Sequence, residues 1–138
     1  MNKDCFEKLN HLVTERGKPF RILIVDDERW VREVFRDYCA LTNSFEIDMA
    51  RSGEEAIEMA MAQPYDLITL DLIMPEVSGL EALGAIKEKC PRVPVMIVTG
   101  NATEKLVHEA GILGACRVMY KPVRLEDFVT ELVSRLGQ

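Results

Sequence analysis

Arg21-Ile22-Leu23-Ile24-Val25-Asp26-Asp27-Glu28 is the stretch that decides how this chain is read. Its first five residues form an unbroken, β-branched run, the pattern of a strand covered on both faces. Three acids follow at once, so this strand delivers negative charge at its carboxyl end. Downstream, Val31, Val34, Phe35, Tyr38 and Leu41 recur at spacings of three and four, the stripe of an amphipathic helix.

The same alternation continues to the end of the chain. Phe45, Ile47 and Met49 make a second strand, and Ser52-Gly53-Glu54-Glu55 reads as a capping box for a helix that Pro64 ends. Asp66 to Leu70 is a third strand, with Leu80, Leu83 and Ile86 striping the next helix. Val93 to Val98 is a fourth strand. Leu106, Val107 and Ala110 mark a fourth helix, which Gly111 weakens and Gly114 closes. Arg117 to Tyr120 is a fifth strand, and Leu125, Phe128, Val129, Leu132, Val133 and Leu136 stripe a fifth helix. The pattern is an α/β fold of (βα)5 type: a doubly wound, five-stranded parallel sheet. Five such units suit the flavodoxin-like strand order 2-1-3-4-5. In that order the winding reverses between the first and third strands, and their carboxyl ends flank the binding crevice.

Residues 1–20 stand outside this repeat, and residues 21–138 form the domain. Phe6, Leu9, Leu12 and Val13 have the spacing of a short helix, which Gly17-Lys18-Pro19 separates from the first strand. Two readings are open for it: a frayed or loosely docked extension, or a helix that binds a partner or dimerises.

Composition narrows the function. At 138 residues, 48% apolar and 29% charged, the chain supports one core and a polar surface. No apolar run approaches the ~20 residues of a membrane span, and Met1 to Asn10 is not signal-like, so a cytoplasmic protein away from membranes is expected. A net charge of -6 without a basic stripe argues against direct nucleic-acid binding. Cys5, Cys39, Cys90 and Cys116 lack metal spacing and read as reduced thiols, and His11 and His108 read as solvated.

The strand ends carry the chemistry. Asp26-Asp27-Glu28 closes the first strand and Asp71 the third, so three or four carboxylates converge in the crevice. That crowding is costly unless a hard divalent cation relieves it, and Mg2+ suits such oxygen ligands. Thr99 ends the fourth strand with a hydroxyl, and Lys121-Pro122 ends the fifth with an ammonium. An acid pair, an acid, a hydroxyl and a lysine at one rim suit phosphoryl transfer: metal and lysine neutralise phosphoryl oxygens while a carboxylate acts as nucleophile.

Val25-Asp26-Asp27-Glu28, Asp71-Leu72-Ile73-Met74-Pro75 with Gly79, Thr99-Gly100 and Lys121-Pro122 together resemble the signature of response-regulator receiver domains, over roughly Arg21 to Leu136. The resemblance implies Asp71 as phosphoacceptor, and Asp26, Asp27, Asp71 and the Ile73 backbone carbonyl as ligands of Mg2+, with Mn2+ as a substitute. Thr99 and Lys121 would stabilise the phosphoryl group, and Pro122 matches a cis-proline position. It further implies a histidine kinase or histidine phosphotransfer protein as donor, and a downstream protein as target. A homodimer through the fourth helix, fifth strand and fifth helix would also fit. The domain would modify itself and would not be a turnover enzyme.

One position departs from the pattern. The family carries Tyr or Phe three residues before the lysine, where this chain has Val118. Either Tyr120, on the same strand face, takes part of that role, or the shift of Thr99 is read out through the fourth helix without an aromatic rotamer. The second is preferred, since a residue beside Lys121 is expected to pack. Bulky Ile73, flanking the site with Asn101, predicts slow hydrolysis of the phosphoryl group. Trp30 is placed to sense the ion by fluorescence.

Other classes fit less well. The acids after the first strand would repel a flavin phosphate, and a phosphohydrolase would want a second carboxylate where Ile73 stands. A degenerate receiver acting only as an interaction module is the remaining alternative. Because only Gly137-Gln138 follow the last helix, both a free-standing regulator and a receiver from a longer regulator or hybrid kinase are consistent with the sequence.

Overall fold

A computed structural model describes residues 3–137. The strands are β1 (Phe20–Val25), β2 (Phe45–Ala50), β3 (Leu67–Leu70), β4 (Val95–Thr99) and β5 (Arg117–Tyr120). The helices are α1 (Lys3–Arg16), α2 (Arg29–Cys39), α3 (Gly53–Ala62), α4 (Gly79–Lys89), α5 (Glu104–Ile112) and α6 (Leu125–Leu136). All strand pairs are parallel and the order is β2-β1-β3-β4-β5, the one expected from five strand–helix units.

The sheet is covered on both faces. On one face Leu23, Val25, Ile68, Leu70 and Ile97 meet Ala56 of α3, Leu83 and Ile86 of α4 and Ala110 of α5. On the other, Ile22, Ile24, Leu67, Met96 and Val98 meet Phe35 of α2 and Phe128 and Leu132 of α6. The Phe35 and Phe128 rings stack with centroids 4.5 Å apart, joining α2 to α6. β3 and β4 are buried throughout, whereas the edge strand β5 has no buried residue.

Local signals in the sequence set the helix starts. The Ser52 hydroxyl accepts from the Glu55 N–H at 3.1 Å, the expected half of a capping box, while the Glu55 carboxylate lies 3.7 Å from the Arg51 guanidinium. Ser78 and Thr103 cap α4 and α5 in the same way. Gly111 falls inside α5, and Gly114 turns the chain at φ +107°.

Expectation and structure differ for the N-terminal segment. In place of a frayed or loosely docked extension, α1 packs against α6 and buries Leu9 completely. Cys5, Leu12 and Val13 add to the same core layer. The Arg16 guanidinium contacts both oxygens of Asp66, at 3.2 and 3.3 Å, and lies 4.1 Å over the Phe20 ring. Three-to-four spacing alone says a helix has an apolar face; the apolar flank of α6 decides that this face is covered.

Candidate functional site

Strand register builds the site. Val25 pairs with Leu70, and the Asp71 N–H donates to the Val25 carbonyl at 3.1 Å, so Asp26 and Asp71 leave neighbouring strand ends together. Thr99 pairs with Tyr120, and the Lys121 N–H donates to the Thr99 carbonyl at 2.9 Å. Four segments distant in sequence thus reach one rim.

Side chains converge there. Lys121 Nζ lies 2.7 Å from Asp26 Oδ2 and 3.0 Å from Asp71 Oδ2, with Glu28 Oε1 at 3.6 Å. The Thr99 hydroxyl donates to Asp71 Oδ1 at 3.0 Å, and the Ile73 N–H reaches the same oxygen at 3.1 Å. Asp26, Asp71 and Thr99 are buried, while Asp27 and Ile73 are exposed. The Lys121–Pro122 peptide bond is cis.

The electrostatics follow from two buried acids sharing one ammonium. Burial pushes the Asp26 carboxyl above its usual range, against the lowering effect of the Lys121 hydrogen bond. Burial alone would lower the Lys121 ammonium, but its bonds to Asp26 and Asp71 outweigh this and hold it above the ordinary lysine value. One carboxylate oxygen from each of Asp26, Asp27 and Asp71 lies within 4.8 Å of the others. This donor set fits a small, hard divalent cation: all oxygen, negatively charged and open to water on the Asp27 side.

Several supports were not singled out from the sequence. Arg32 Nη1 donates to the Asp26 carbonyl at 2.7 Å, fixing the strand end from the first turn of α2. The Tyr38 hydroxyl donates to the Val123 carbonyl at 3.3 Å, linking α2 to the loop that carries Lys121. Trp30, which the sequence did place near the ion, donates its indole N–H to Glu28 Oε2 at 2.7 Å. Arg32 and Tyr38 sit in a helical pattern that reads as surface and core, and no spacing signal marks such backbone contacts.

Readout residues depart from one expectation. Tyr120 does not pack beside Lys121 but stands 56% exposed, because β5 is an edge strand and Tyr120 is its last residue. Val118 is half-buried against the layer that contains Ala102 and Leu106. The histidines fall where expected, exposed at His11 and His108, and the cysteines are free thiols, with only Cys39 fully buried. Among the described residues, no helix is long and apolar enough to cross a membrane.

Known proteins share this arrangement. The chain is 31% identical over 142 residues to the chemotaxis protein CheY of Treponema pallidum, covering 99% of each. It is 33% identical over 111 residues to a protein-glutamate methylesterase/protein-glutamine glutaminase of Anaeromyxobacter dehalogenans, but spans only 32% of that relative's length. It likewise spans 49% of response regulator MprA of Mycolicibacterium vanbaalenii. Among solved structures, CheY in a CheX–CheY–BeF3–Mg complex from Borrelia burgdorferi superposes with a TM-score of 0.84 at 28% identity, covering 92% of this chain and 96% of that one. A CheY-like receiver from Methanospirillum hungatei shares the fold at a TM-score of 0.84 and 23% identity, over 87% and 95% of the two chains. A family model, the response regulator receiver domain, matches residues 22–133, a span that contains the whole rim cluster. Fold, rim and relatives agree: this chain belongs to the response regulator receiver domains of two-component signalling.

Proposed function

We propose that this domain accepts a phosphoryl group on Asp71 from a phosphohistidine of a histidine kinase or phosphotransfer protein, and that the change at Asp71 alters its interaction surface. The observation that carries the reading is the Lys121 ammonium held between two buried carboxylates, 2.7 Å from Asp26 and 3.0 Å from Asp71. A structural lysine needs no second buried acid. A lysine that must follow charge from a carboxylate to a phosphoryl group does.

In this reading an Asp71 oxygen forms the new O–P bond as the P–N bond breaks, and the electron pair leaves on the imidazole nitrogen. Asp26, Asp27, Asp71 and the Ile73 carbonyl would hold Mg2+, or Mn2+ in its place, which neutralises phosphoryl oxygens when bound. Lys121 supplies a second positive charge without moving far. The Thr99 hydroxyl, now donating to Asp71 Oδ1, turns to a phosphoryl oxygen and draws its strand end with it. Such a residue-borne reaction modifies the domain once per cycle, which is switching and not turnover. The phosphohistidine donor it requires is cytoplasmic, and that is where the domain would act.

The shift of Thr99 has a short route outward. Its register partner Tyr120 is exposed, and α5 exposes Ile112. The α5–β5–α6 face is therefore the surface offered to a downstream protein or a second copy, with Val118 as a filler and not a moving ring. Ile73, 47% exposed beside Asp71, and Asn101 flank water's approach and favour slow hydrolysis.

Incubation with acetyl phosphate and Mg2+, followed by intact mass, tests the reading. One phosphoryl gain is expected, abolished by Asp71→Asn or by chelator. No gain under these conditions overturns it in favour of an interaction-only module.

A further inference from the structure

At the end of the sheet opposite Asp71 lies a hollow of about 410 Å³ that the phosphoacceptor reading does not use. Three arginines from three separate segments line it: Arg16 of α1, Arg92 before β4 and Arg135 of α6, against one carboxylate, Asp66. Asp66 is already engaged, accepting from Arg16 and from the Arg21 N–H at 2.8 Å. Arg92 is exposed and has no side-chain partner among the described residues. Arg135 is only 27% exposed; its buried Nε makes no hydrogen bond and faces Glu131 Oε2, equally without one, at 3.5 Å, the one ion pair it makes among the described residues. Glu131 is itself shared with Arg117.

We propose that this hollow is a binding site for a phosphate monoester, with Arg92 and Arg135 as the anion's ligands. The one carboxylate facing Arg135 Nε stands at ion-pair and not hydrogen-bond distance, and a planar fork of donors matches phosphate oxygens. Three guanidiniums against the one carboxylate in the lining leave an excess of positive charge that matches a dianion. The hollow is larger than a bare phosphate ion needs, and Phe20 and Leu136 give it an apolar wall for the ester's organic body. Arg16 and Arg135 both fall outside the segment matched by the family model, so the site depends on the docked α1 and the end of α6.

The test uses the full chain carrying Asp71→Asn, in chelator, so that the acidic rim does not bind the probe. Inorganic phosphate, phenyl phosphate and malonate are titrated while backbone amide NMR signals are followed. Shifts are expected at Arg16, Arg92 and Arg135, with phenyl phosphate binding more tightly than inorganic phosphate. Arg92→Gln or Arg135→Gln should each weaken phenyl phosphate about tenfold, with an unchanged melting temperature for the exposed Arg92→Gln. Shifts confined to the Asp26 rim, undiminished binding in both variants, or malonate binding as tightly as phenyl phosphate would overturn the proposal.

Discussion

Replacing Lys121 with Met tests the electrostatic account of the rim most directly. The side chains of Asp26 and Asp71 are 3% and 4% exposed, and Lys121 is itself 13% exposed. Removing one partner from such a buried group leaves uncompensated charge and costs about 3–5 kcal/mol. Asp26 limits that cost by taking up a proton, since burial already holds its carboxyl above the usual range. The sign follows from linkage. A carboxyl whose folded pKa is raised destabilises the fold above that pKa, and the penalty fades as pH falls through it. Lys121→Met should therefore lose about 3 kcal/mol near pH 8 in chelator and less at about pH 5. Mg2+ at about ten times its dissociation constant should restore roughly 1.4 kcal/mol. Urea denaturation at the two pH values, with and without Mg2+, measures all of this. A variant as stable as wild type near pH 8 in chelator, or equally destabilised at both pH values, would refute the buried-charge reasoning.

Three further outcomes follow from packing and burial. Leu9→Ala, at a fully buried position, should cost about 2–4 kcal/mol in urea denaturation; a loss below about 0.5 kcal/mol would mean α1 is not held. Gly79→Ala would place a Cβ 2.2 Å from the Asp71 carbonyl oxygen and 2.4 Å from Leu72 Cα, so backbone must shift, at about 3 kcal/mol or roughly 10 °C in Tm. Phosphorylation by acetyl phosphate should fall with it, and an unchanged Tm with normal labelling would count against the close approach. Burial pushes the Cys39 thiol up to about 12, so the unfolded chain loses that proton first as pH rises. Stability should then drop by about 4 kcal/mol more between roughly pH 9 and 12 than in Cys39→Ser, and parallel curves would contradict this.

Much of the fold was legible because each signal is local. Apolar runs in β1, β3 and β4 mark strands buried on both faces, and three-to-four spacing marks the helices. With strand–helix alternation, chirality leaves few windings. The candidate site was legible because acids, hydroxyl and lysine each stand at a strand end, and parallel strands put those ends on one rim. Backbone supports such as Arg32 to the Asp26 carbonyl and Tyr38 to the Val123 carbonyl have no periodicity to betray them.

By itself the sequence determined the strand–helix alternation and the residue types at the rim, and favoured the strand order that the sheet adopts, since these depend on local pattern and chain direction. Tertiary packing alone decided that α1 is docked, that Tyr120 faces solvent and that Arg16, Arg92 and Arg135 meet in one hollow. Each of these depends on which surface of a distant element lies opposite. An edge strand leaves its last ring uncovered, and the flank of α6 gives Leu9 a place to be buried, neither of which spacing along the chain can specify.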